Sequence, residues 1–148
     1  MENSSSNTSL PALSAMARLQ IAFLTWKRYL QKVLEPHGIT LKQAFVLERL
    51  SQQGALHPSK IASMLFCDRP TATVILKNLQ RREWVAMQPD HTDRRQTLVQ
   101  LSSQGQTKLE EIRQTPWGTR GTKNDPLACF TAQELDQFDM LLRKLNQH

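Results

Sequence analysis

Cysteine is scarce here: Cys67 and Cys129 are the two in 148 residues. They stand far apart and outside any C-x-x-C spacing, which argues against a disulfide framework and leaves reduced thiols as the expected state. His37, His57, His91 and His148 are scattered, with no H-x-x-x-H or His/Cys cluster, so neither a metal nor another cofactor is expected. No apolar run approaches the ~20 residues that span a bilayer. The opening stretch MENSSSNTSLPALS has no basic leader and no long apolar segment, so no secretory signal is read there. Together these absences predict a cytoplasmic chain with no membrane association. A Ser/Cys–His arrangement with supporting context, a Gly-rich phosphate loop and paired acids in a pocket signature are missing too, which argues against an enzyme.

What the chain has in excess is positive charge. Its formal net charge is +6, with 39% hydrophobic and 22% charged residues, the composition of one soluble domain with a single core. The excess is localised. Residues 15–50 hold six Lys/Arg against two acids and residues 60–100 hold seven against four, whereas residues 101–148 balance at six each. A basic first two thirds favours a polyanionic partner such as nucleic acid.

Residues 1–13 are Ser/Asn-rich and read as a mobile tail. From Ser14, the residues Met16, Leu19, Phe23, Trp26, Leu30 and Val33 recur at steps of three and four, predicting an amphipathic helix that halts before Pro36-His37-Gly38. Thr40-Leu41-Lys42-Gln43 has capping-box form and opens a second helix that stops at Gly54. A short third helix is predicted over Pro58–Phe66, and a fourth, capped by Asp68, runs to about Arg82. The period then changes: Trp84–Met87 and Thr97–Leu101 read as two strands around the loop QPDHTDRRQ. Ser102 caps a further helix, residues 115–130 read as a loop, and Thr131-Ala132-Gln133-Glu134 is a second capping box before a final helix.

A mainly α chain with a small β-hairpin, in this order, is a winged helix-turn-helix. Its fourth helix is the candidate for the major groove, which admits one helix. Burial of Ala72, Ile75 and Leu79 would turn Arg69, Pro70, Thr71, Thr73, Val74 and Lys77 outward, where Val74 suits a thymine methyl. The same pattern also describes any solvated basic helix. In the loop, Arg94 and Arg95 at a wing tip suit the minor groove, with Asp93 orienting a guanidinium. A purely internal Asp–Arg tie is the other reading of those residues.

The run DRPTATVILKNLQRREWVAMQPDHTDRRQTLVQLSSQGQTKL resembles the central segment of MarR-family transcription regulators. Asp68-Arg69-Pro70-Thr71 matches the start of the recognition helix, Asp90 with Asp93-Arg94-Arg95 matches the wing, and Val99-Gln100-Leu101-Ser102 with Gly105 matches the segment after it. The likeness is close over residues 58–110. It implies a homodimer on a pseudo-palindromic double-stranded DNA operator, usually as a repressor, often released by a small-molecule effector or by oxidation. Arg95 is then the leading minor-groove residue. The implied organisation is one domain over 14–148: dimerisation helices at 14–35 and 131–147, a winged-helix lobe at 40–101, a connecting helix at 102–114 and a loop at 115–130. Val74 stands where relatives often have Arg or another polar residue, so base preference does not transfer.

Some readings stay open. The apolar stripes Met16–Val33 and Leu135–Leu145 serve either a dimer or packing within one chain. Trp26, Tyr29 and Phe45 either line an effector pocket or belong to the core. Cys67 is either a redox-sensitive thiol beside the recognition helix or a small residue filling the turn. The alternative function is a winged-helix dimer that binds a protein and has no specific DNA site.

Overall fold

The computed structural model describes residues 12–117 and 125–147. The expected tail therefore lies outside the described residues up to position 11, as does the 118–124 part of the expected loop. The order is α1 (Ala12–Leu34), a 3-10 turn (Glu35–His37), α2 (Leu41–Gln53), α3 (Pro58–Met64), α4 (Arg69–Arg81), β1 (Val85–Pro89), β2 (Thr97–Leu101), α5 (Ser103–Arg113) and α6 (Ala132–Leu145). This is the mainly helical winged-helix arrangement that the sequence predicts.

Local chemistry sets the helix ends. Thr40 and Gln43 form a reciprocal capping box at α2, and Thr131 with Glu134 repeats it at α6. Asp68 accepts the Thr71 backbone N–H at 2.7 Å to cap α4, and Ser102 caps α5 through the Gly105 N–H. Gly54 ends α2 at φ +79°, a conformation costly for any residue with a side chain. α3 is shorter than expected: Phe66 takes φ +49° and breaks the helix after Met64. β1 starts one residue later than expected, because Glu83 also has positive φ and leaves Trp84 outside the strand. The Trp84 ring instead lies between two cations, Arg82 at 4.9 Å and Lys108 at 5.3 Å.

β1 and β2 pair antiparallel, with Val85 opposite Leu101 and Met87 opposite Val99. A further pairing on β2 is not predicted from the sequence. Leu56, in the connection before α3, exchanges both backbone hydrogen bonds with Val99 at 2.9 Å. That pairing sews the start of the helix-turn-helix to the wing.

The core joins Leu34, Leu47, Leu50, Ile61, Leu76, Leu79, Val85, Val99, Leu109 and Ile112, all fully or nearly fully buried. α5 is held to α2 by a two-pronged ion pair from Arg113 to Glu48, at 2.9 and 3.1 Å. α1 contributes its last turns, with Leu30 and Leu34 buried, while Met16, Ile21, Phe23, Leu24 and Trp26 stay exposed. α6 buries none of its residues, and Met140, Leu141 and Leu145 face outward. Within one chain, neither apolar stripe is covered along its length.

Candidate nucleic-acid interface

α4 turns Ala72, Leu76 and Leu79 into the core, with Ile75 half-buried. The expected inward set thus gains Leu76, and Ile75 moves to the rim. Opposite this face Arg69, Pro70, Thr71, Thr73, Val74 and Lys77 are all exposed, as the pattern predicts. The hydroxyls are less free than the sequence suggests. Thr73 donates its hydroxyl to the Arg69 carbonyl at 2.9 Å. The Asp68 carboxyl is held below its ordinary acidity range by the nearby Thr71, first through its side chain and then through its backbone N–H, which is the group that bonds it, at 2.7 Å.

The wing loop is built by its two aspartates. Asp90 accepts from the backbone N–H and the hydroxyl of Thr92, both at 2.9 Å, and these contacts lower its pKa in that order. Asp93 accepts the backbone N–H of Arg95 at 3.0 Å and the Gln96 side-chain amide at 3.4 Å. The Asp90 N–H reaches the Gln96 carbonyl at 2.8 Å, closing the loop. The two expectations for Asp93 are corrected together: it neither orients a guanidinium nor forms an internal Asp–Arg pair. No ion pair joins it to Arg94 or Arg95 among the described residues, because its oxygens are occupied by main-chain and amide donors. Arg94 and Arg95 are consequently exposed cations on a loop whose backbone is already fastened.

From sequence His57 reads as a cap or surface residue beside Pro58, which leaves its part in the wing unseen. It sits at the N-cap of α3 yet makes no side-chain capping bond. Its Nδ1 lies 3.0 Å from the Thr97 carbonyl and its Nε2 3.3 Å from Asp90 Oδ2, so the ring bridges α3 to both ends of the wing loop. The available hint was a poor capping residue at a capping position. His57→Ala is expected to speed amide exchange at Asp90 and Gln96, with little loss of global stability. Unchanged exchange at those two amides would show that the ring does not hold the wing.

Between α4 and the wing runs an open cleft of about 440 Å³, lined by His57, Pro58, Ser59, Arg69, Ala72, Thr73, Gln96 and Thr97. Arg69 and Thr73 thereby meet the wing base in one groove. The aromatic trio is not gathered in this way. Phe45 lines a separate cleft with Val46, Arg49, Ile61, Met64 and Leu65, of about 10 Å³, with Arg49 over its ring at 5.3 Å. Trp26 is exposed and Tyr29 half-buried on α1, and neither lines that cleft. Cys67 is half-buried in the turn before α4, and Cys129 is exposed.

A sequence profile described as MarR family matches residues 39–97. The multiple antibiotic resistance protein MarR of Salmonella typhimurium is 30% identical over 118 residues, spanning 80% of this chain and 81% of that protein. The chain belongs to the MarR family. Another relative, the HTH-type transcriptional repressor MdtR of Bacillus subtilis, is 27% identical over 129 residues, covering 87% of this chain and 81% of its own. Among solved structures, a mutant of Escherichia coli MarR complexed with operator DNA superposes with a TM-score of 0.71. It is 27% identical and covers 88% of this chain and 93% of that one. The profile match takes in α2 to the first residue of β2, so it contains α4 and the whole wing loop of this MarR-family chain.

Proposed function

We propose that this MarR-family chain is a homodimeric, sequence-specific double-stranded DNA-binding regulator, acting as a repressor on a pseudo-palindromic operator. One observation carries the reading. The outward face of α4 and the fastened wing bearing Arg94 and Arg95 flank a single open cleft, and every cation named there is exposed. Such a cleft suits a sugar-phosphate strand, with the helix in the major groove and an arginine in the adjacent minor groove.

Dimerisation is supported by α1, where Met16, Ile21, Phe23, Leu24 and Trp26 are exposed, and by α6, where no residue is buried. An amphipathic helix of 14 residues with nothing buried is marginal in water without a partner surface. Repression follows the MdtR relative and operator binding follows the Escherichia coli MarR complex. The single subunit gives an effector little room at Phe45: about 10 Å³ holds one water, whereas ligand pockets run to roughly 300 Å³ and more. Nor is any described helix long and apolar enough to cross a membrane.

The test is selection of duplexes from a randomised pool by the purified protein, repeated at rising salt. An inverted repeat that survives moderate salt is the expected result. Binding without a motif, or none at all, would move the reading to a protein-binding winged-helix dimer.

A further inference from the structure

The base preference of α4 rests on what its outward ridge offers a groove, taking the DNA-binding reading above as given. An α-helix turns about 100° per residue, so Pro70, Val74 and Lys77 (i, i+4, i+7) lie along one line, opposite buried Ala72 and Leu79. Val74 stands at the middle of that line and is 58% exposed. A β-branched apolar side chain gains nothing from water there, and no other described element covers it. Its neighbours are also short of free donors. The Thr73 hydroxyl proton is held by the Arg69 carbonyl, and the Thr71 backbone N–H by the Asp68 carboxylate. With its proton engaged, Thr73 offers the groove a methyl group and an acceptor oxygen. The charged donors on the exposed side of α4 are Arg69 and Lys77.

In the major groove, thymine is the base that presents a methyl group, and guanine is read chiefly by paired donors. The geometry points to Val74 as a specificity-determining residue that reads thymine 5-methyl groups, giving each half-site a thymine-centred core under the middle of α4. Arg69 and Lys77 flank this contact and serve phosphates or the bases beside it.

The experiment uses the full-length protein and the duplex recovered by selection. Each thymine of both half-sites is replaced in turn by deoxyuridine, which removes only the methyl, and affinity is measured at fixed salt. One buried methyl is worth about fourfold in affinity. A loss of about that size per half-site is expected at one or more thymines. In Val74→Ser the same replacement should cost nothing, while the salt dependence of binding stays as steep as before, because Val74 neutralises no phosphate. Circular dichroism of the variant should be unchanged, since the residue is exposed. A recovered motif whose uridine forms bind as tightly as the parent would overturn this inference and leave DNA binding standing. So would an equal uridine penalty in Val74→Ser. Recovery of no motif would overturn the DNA-binding reading, and this inference with it.

Discussion

Arg95→Ala is expected to lose about 10- to 100-fold in operator affinity for each wing that contacts DNA, the range for one charge-assisted hydrogen bond. The fastening of the loop is the reason. Asp93 holds the Arg95 backbone N–H at 3.0 Å, and the Asp90 N–H meets the Gln96 carbonyl at 2.8 Å. Truncating the Arg95 side chain leaves each of these bonds in place, so the wing keeps its shape and loses a cation. Its guanidinium is exposed and pairs with no described acid. Thermal stability should therefore stay within about 0.5 kcal/mol of the parent, as for a surface site. The salt dependence should become shallower by about one phosphate for each wing. Titration of the selected duplex by fluorescence anisotropy at several salt concentrations, beside a thermal melt, separates these effects. A lower melting temperature with unchanged affinity would make Arg95 a structural residue.

Gly105→Ala is expected to act in the opposite way, on the fold more than on DNA. Gly105 lies in the first turn of α5, where glycine-to-alanine ordinarily stabilises a helix by up to about 1 kcal/mol. Here a Cβ would land on the Trp84 carbonyl oxygen, well inside contact distance, and 2.8 Å from Leu101 Cδ1. The carbonyl has little freedom to retreat, since it accepts the Ser102 N–H at 3.1 Å. Ser102 also donates its hydroxyl to the Glu83 carbonyl at 2.5 Å. Overpacking of this kind costs about 1–3 kcal/mol, which outweighs the propensity gain. For a chain of this size, a net loss of about 2 kcal/mol lowers the melting temperature by roughly 4–8 °C. A rise in melting temperature in Gly105→Ala would mean that α5 can slide away from the β1 end without cost.

The two variants bear on how much of this protein was legible before folding. Both residues stand out in sequence through the resemblance of the wing and the segment after it. For Gly105 the spacing alone carried no reason. The reason is a close approach to Trp84, whose position depends on the positive φ of Glu83 at the end of α4. The outward set of α4 was readable because helical periodicity and the Asp68 cap are local signals, acting within about four residues. The one inward error, Ile75 in place of Leu76, lies at the rim of the buried face, where small rotations decide burial.

Asp93 shows the limit of local reading. Two aspartates and two arginines in six residues suggest ion pairs, yet the carboxylates prefer nearby backbone N–H groups. Those donors are fixed in place, whereas pairing with an exposed guanidinium costs side-chain entropy in water. Periodicity, caps and charge distribution therefore determined the elements, the exposed basic face and the apolar stripes of α1 and α6, whose lack of cover only the packed chain decided. Tertiary structure decided the rest: the Leu56–Val99 rung, the His57 bridge to Thr97 and Asp90, and the carbonyl that only a glycine can pass. His57 and Thr97 are 40 residues apart. No periodicity or capping rule reaches that far, and their meeting is fixed only when α3 and the wing pack around one core.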